Sequence, residues 1–134
     1  MKIVILGCGR VGALLATMLD REGHTVSMID QSSEAFQRLS GEFRGSEFVG
    51  NGVDEDVLLR AGIKEADTFI AVTNGDNRNI MASQIAREIF QVKQVVCRIY
   101  DPIREETYRE MGFETFCPTV IGAQKLFNAI TDKK

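Results

Sequence analysis

The sequence is poor in the residues on which metal and disulfide chemistry rest. Its three cysteines are Cys8, Cys97 and Cys117, an odd number with none in a C-x-x-C pair. That argues against a disulfide framework and against a zinc site. Cys97 and Cys117 stand in apolar, strand-like runs and read as small core residues. A reducing, cytoplasmic compartment fits this usage. The single histidine, His24, follows Gly23 and reads as a turn residue rather than a catalyst. No cluster of metal ligands is present, so no metal is required. A basic excess is also lacking: 16 Lys and Arg stand against 19 Asp and Glu, a net charge of −3. Broad electrostatic attraction to nucleic acid or to an anionic membrane is therefore not expected. No apolar run approaches the roughly 20 residues that span a bilayer, so direct membrane insertion is not expected either. The run from Met1 to Leu6 is shorter than a secretion signal and meets glycine at once. It reads as a buried strand. Work at a membrane would have to pass through a partner. There is no linker, repeat or low-complexity stretch, and 134 residues make one domain, 1–134, by size.

What is present is an alternation of strand and helix patterns. Residues 3–6 are continuously apolar, as in a strand covered on both faces. Over residues 10–22, Val11, Leu14, Leu15 and Met18 recur at helical spacing, and Gly23 supplies a stop. Further strands are expected at 25–29, 47–49, 68–72, 94–99 and 115–117. A short helix is expected at 33–39, with Ser32 or Ser33 as its cap. Another spans 55–61, capped by Asp54 and ended by Gly62. A long helix covers 77–90, with Ile80, Ala82, Ile85, Ala86 and Ile89 on its apolar side. Residues 104–111 form a helix ended by Gly112. In the tail, 119–130, Ala123, Leu126, Phe127 and Ile130 fall at i, i+3, i+4 and i+7, which is an amphipathic helix. Its stripe suits packing on its own sheet or on another subunit. The alternation predicts a Rossmann-type, doubly wound α/β fold with helices on both faces. The expected strand order is 3-2-1-4-5-6, with a ligand at the carboxyl edge between the first and fourth strands.

The chemistry concentrates in Gly7-Cys8-Gly9-Arg10-Val11-Gly12. This G-x-G-x-x-G follows a strand directly and opens a helix, which is the context that makes the motif specific. Gly7 permits the tight turn, Gly9 lets a diphosphate approach the backbone, and Gly12 lets helix and strand pack closely. The helix N-terminus offers unpaired N–H groups to phosphate. Asp30, with Gln31 beside it, ends the second strand 23 positions after Gly7, where an acidic residue accepts ribose hydroxyls. Its charge disfavours NADP: a like-charge contact near 4 Å costs about 4 kcal/mol at an effective dielectric near 20. Arg10 suits pairing with phosphate or simple solvation, about equally. Gly50-Asn51-Gly52 suits a turn beside adenine or a plain turn. Thr73-Asn74-Gly75-Asp76-Asn77 lies across the switch point, where it suits contact with phosphate or ribose, helix capping by Asp76 or Asn77, or both. Glu105, Glu106 and Glu110 form a solvated helix face.

The run Ile3 to Gly12 resembles the opening of the TrkA N-terminal, or RCK (regulator of conductance of potassium), domains. So do Gly23-His24-Thr25-Val26, Ile29-Asp30, Val49-Gly50-Asn51-Gly52, Ala61-Gly62-Ile63, Ala66-Asp67, Ala71-Val72-Thr73-Asn74 and Val96-Cys97-Arg98-Ile99. The resemblance runs in order along essentially the whole chain. It implies a cytoplasmic regulatory subunit of a Trk/Ktr-type potassium system. Such subunits bind NAD(H) or ATP/ADP, with AMP a further candidate, and assemble as dimers or larger rings against a membrane potassium-translocating protein. Carried over by position, Gly7, Gly9, Arg10 and Val11 would face the phosphates. Asp30 would hold the adenosine ribose, Asn51 would sit by adenine, and Thr73 and Arg98 would line the cleft. The family often has Asp where this chain has Asn51. Many members continue into a second, C-terminal RCK domain; the chain ends at Lys134, so that domain is either left out or naturally absent.

A dehydrogenase needs a substrate pocket and a proton donor beside the nicotinamide. The Rossmann unit fills the chain and leaves no second domain to supply them. No G-x-x-x-x-G-K-[ST] offers phosphoryl transfer. The expectation is a nucleotide sensor and not an enzyme. The competing expectations are an NAD-dependent oxidoreductase or a fragment of one, and a scaffold that binds nothing.

Overall fold

A computed structural model describes residues 1–132. Its strands are β1 (Lys2–Leu6), β2 (Thr25–Asp30), β3 (Ser46–Val49), β4 (Thr68–Ala71), β5 (Gln94–Arg98) and β6 (Glu114–Phe116). They form one sheet in the order β3-β2-β1-β4-β5-β6, all parallel. Order and direction are those expected from the alternation. In β1 the residues Ile3 to Leu6 are all buried. Successive side chains of a strand point to opposite faces. Accordingly Val4 and Leu6 join one apolar cluster with Leu58, Ile63 and Phe69. Ile3 and Ile5 join another with Val26, Met28 and Ala16. Each such buried side chain contributes roughly 1.5–3 kcal/mol, so the central strand stabilises both layers at once. Leu6 is in register with Ile29 and with Ala71. The loops that leave β1, β2 and β4 therefore emerge at one edge.

Helices α1 (Arg10–Arg21), α2 (Glu55–Arg60), α3 (Asp76–Gln84), α4 (Pro102–Glu110) and α5 (Pro118–Thr131) complete the fold. Asp54 caps α2 by accepting from the Asp56 N–H. Gly62, at φ +89°, turns the chain out of it. Asp101 caps α4 through the Ile103 N–H, with Pro102 at the first helical position.

Four expectations change or narrow. The large apolar residues that mark α1 are not the ones it buries: Gly12, Ala13, Ala16 and Asp20 face inward. Val11, Leu14 and Met18 are exposed. Close approach of a helix to the sheet selects small residues, so the contact face of α1 carries little hydrophobic signal. The long helix expected over 77–90 is α3 followed by a π-helical turn, Ile85–Ile89, and residues 33–38 form a 3-10 turn. In α5 no residue is buried. Leu126 and Phe127 are 65% and 60% exposed, so the stripe does not pack on its own sheet.

Candidate functional site

The turn after β1 is set by contacts that only glycine permits. Gly7 has φ +109°, and a Cβ there would lie 2.8 Å from the Thr73 nitrogen. A Cβ on Gly12 would lie 1.9 Å from the Gly7 carbonyl oxygen. These two residues bring β1, α1 and the end of β4 together. A Cβ on Gly9 would meet nothing within 4 Å. Its space opens into a cleft of about 780 Å³ at the carboxyl edge of the sheet.

The structure brings most of the expected site residues to this cleft. Gly7, Cys8 and Gly9 form its floor on the α1 side. Asp30 and Gln31 line it from β2, Gly52 from the loop after β3, and Thr73, Asn74 and Arg98 from β4 and β5. The Asp30 carboxylate accepts from the Cys8 N–H at 2.8 Å and from the Ser32 N–H at 2.9 Å, one bond on each oxygen. Each oxygen keeps a lone pair for a further donor. Cys8 is fully buried. Burial first, then the charge of Asp30, pushes its thiol up from 9.0 to about 11. It stays protonated at neutral pH and is not a nucleophile.

The opposite wall is built from side chains. Asn79 on α3 is fully buried. Its Oδ1 accepts from the Thr73 N–H at 2.9 Å and from the Thr73 hydroxyl at 2.6 Å. Its Nδ2 donates to the carbonyls of Thr73 at 2.9 Å and Arg98 at 3.0 Å. Arg98 is 8% exposed. Its Nη2 donates to the carbonyls of Val72 at 2.7 Å and Thr73 at 2.8 Å. Its guanidinium lies 4.9 Å from the centre of the Tyr100 ring. Its Nε is buried without a partner. Among the described residues the ion pairs are Arg44–Asp20, Arg87–Glu88 and Arg109–Glu105, so no carboxylate neutralises Arg98.

Five expected residues lie off the cleft wall. Arg10 and Val11 are exposed on the first turn of α1, and Gly12 is buried beneath the loop. Gly50 donates its N–H to the Asp30 carbonyl at 3.0 Å and abuts Val57. Asn51 makes a local turn, its Oδ1 accepting from the Val53 N–H at 3.1 Å. It lines a neighbouring cavity of about 450 Å³ with Asp76, Arg78 and Arg104. Asp76 does not cap α3. Its carboxylate accepts from the Tyr100 N–H at 2.8 Å and the Asp101 N–H at 3.2 Å. His24 pairs with the N-terminal amino group at 3.0 Å, at the amino edge of the sheet and away from the cleft.

Sequence reasoning missed Asn79, Arg78 and Arg38. Asn79 had a signal: with Ala82, Ser83 and Ala86 it completes a buried stripe at helical spacing, where a polar residue demands partners. Arg78 and Arg38 both line the cleft, and no motif marks them.

The profile of the TrkA-N domain family matches residues 3–118. The chain is 51% identical over 115 residues to the Trk system potassium uptake protein TrkA of Streptomyces coelicolor, covering 86% of this chain and 52% of that protein. It spans about half the length of that protein and of several other curated relatives that it matches. The structure of GsuK bound to ADP superimposes with a TM-score of 0.82 at 25% identity, over 99% of this chain and 34% of that one. The GsuK channel bound to NAD gives 0.79 at 26% identity, over 95% and 22%.

Proposed function

This chain belongs to the TrkA-N domain family, and from that premise we propose that it is a nucleotide-binding regulatory unit of a Trk/Ktr-type potassium transport system. The ligand is an adenine nucleotide, NAD(H) or ATP/ADP, with AMP a further candidate. The observation that carries this reading is Arg98. A buried cation without a counter-ion is costly, and this one lines the cleft with an unpartnered Nε. A ligand phosphate supplies the missing charge through strong, charge-assisted hydrogen bonds.

The residues present fit such a ligand. Gly9 leaves open space where phosphates approach the N-terminus of α1, whose free N–H groups and partial positive charge favour anions. Asp30 has lone pairs left for ribose hydroxyls, Gly7 and Cys8 hold the floor, and Gln31, Gly52, Thr73 and Asn74 complete the wall. Asn51 flanks the adenine end from the neighbouring cavity, and Arg10 and Val11 flank the phosphate loop. Relatives point the same way: GsuK has been solved with ADP and with NAD. A regulatory role is supported by the likeness to the Trk system potassium uptake protein TrkA and to the GsuK RCK domain.

The partner is a membrane potassium-translocating subunit, approached from the cytoplasmic side. No helix among the described residues is long and apolar enough to cross a membrane. Homodimers or larger rings form through apolar helix faces such as that of α5, which nothing among the described residues covers. Ligand exchange shifts the gate only to the extent that the two arrangements of the assembly bind the ligand differently. The direct test is calorimetric titration with NADH, NAD, ATP, ADP and AMP. Tight binding of at least one supports the reading, and binding of none overturns it. Potassium flux through the pore protein in vesicles, with and without the bound nucleotide, tests the gating step.

A further inference from the structure

The ribose corner of the cleft holds two opposite charges on one residue. The Asp30 carboxylate accepts from the Cys8 N–H at 2.8 Å. The Arg38 guanidinium donates from Nη1 to the Cys8 carbonyl at 3.2 Å. Both side chains line the same cleft. Arg38 is held there by its neighbours, because Phe36 and Leu39 are buried in the apolar layer under the 3-10 turn. Nη1 uses one of the five N–H donors of the guanidinium, and Ser32 lines the cleft beside it.

An acidic residue at the end of the second strand holds a ribose 2′-hydroxyl, and a nearby arginine accommodates a 2′-phosphate. Here both are present. We propose that Arg38, helped by Ser32, forms a 2′-phosphate subsite beside Asp30, so that the cleft accepts NADP(H) as well as NAD(H). The inference rests on the nucleotide-binding reading above and departs from the expectation that Asp30 disfavours NADP. Asp30 repels a 2′-phosphate and Arg38 attracts it, and the two Coulomb terms oppose each other. Glu34, on the same turn and also at the cleft, opposes Arg38 and sets the limit of the preference. Arg38 offers a planar, always-charged fork suited to phosphate oxygens.

The test is calorimetric titration of the full chain with NADPH and NADH. In the wild-type protein the two bind within about tenfold of each other. Arg38→Gln lowers the NADPH-to-NADH affinity ratio by about tenfold or more, and Glu34→Gln raises it. NADH binding with NADPH weaker by more than about tenfold overturns the proposal, as does a ratio that Arg38→Gln leaves in place. Failure of the wild-type protein to bind any of NADH, NAD, ATP, ADP and AMP overturns the nucleotide-binding reading itself, which is a separate result.

Discussion

The two walls of the cleft are built by different means. The β1–α1 wall is backbone against backbone: Gly7 and Gly12 admit contacts that a single methyl group would abolish. The β4–β5 wall is held by side chains: one buried asparagine ties the Thr73 N–H, the Thr73 carbonyl and the Arg98 carbonyl into a network. At Gly7 and Gly12 the first wall tolerates no added atom. The second tolerates no removed one. That contrast also decides what a sequence can reveal. A wall made by absent side chains leaves a run of glycines, which is conspicuous. A wall made by a polar side chain inside a helix leaves an asparagine, which is not.

The largest effect is expected on the first wall. Gly12→Ala places a methyl group 1.9 Å from the Gly7 oxygen, so α1 must move away from β1. Overpacking of this kind costs about 3 kcal/mol or more, and urea denaturation measures it. A variant with wild-type stability would show that the helix–strand contact is loose. Next comes the second wall. Asn79→Ala leaves the Thr73 N–H and the Arg98 carbonyl without their amide partner, while the Thr73 carbonyl keeps Arg98 Nη2, at about 2 kcal/mol. Loss below about 0.5 kcal/mol would mean that water replaces the amide and that the network does not hold the wall.

Arg98→Met then separates structure from binding. The substitution removes a buried, unneutralised cation whose net effect on stability is small. Its effect on ligand is larger. Nucleotide affinity falls by about tenfold, or about 1.4 kcal/mol, as read by calorimetry. A variant that loses stability but binds normally would make Arg98 a brace for the Val72 and Thr73 carbonyls and nothing more.

The legible parts of this protein share a physical cause. Strand order and direction follow from alternation of periodic patterns, which survives any choice of side chain. The glycine turn after β1 and the place of Asp30 follow from a motif whose residues touch one another, as the Cys8–Asp30 bond shows. The inward face of α1 was not legible, because Gly12, Ala13 and Ala16 were selected for closeness and not for hydrophobicity. Its exposed residues Val11, Leu14 and Met18 gave the stronger pattern. Asn51 is a middle case: its place after β3 suited a turn beside adenine or a plain turn, and its side chain makes the turn while lining the neighbouring cavity. Arg38 was invisible because its place on the cleft depends on how the 3-10 turn folds back onto Cys8.

The smallest effect concerns the two thiols, one beside each wall. Burial, then the charge of Asp30, pushes Cys8 from 9.0 to about 11. Burial is also the first cause at Cys97, which rises to about 11 as well. A folded-state pKa raised above the unfolded one means that the fold favours the neutral thiol. The stabilisation is complete below about pH 9 and is lost as pH rises through about 11. Stability is therefore expected to fall across that window, and both thiols should alkylate far more slowly near pH 8 than a free cysteine. Asp30→Asn sharpens the comparison, since it removes a charge that raises Cys8 while Cys97 does not feel it. Alkylation of Cys8 should quicken in that variant and that of Cys97 should not. Equal quickening at both would mean that the Asn side chain loosens the whole edge, and that Asp30 holds the two walls together rather than only the Cys8 turn.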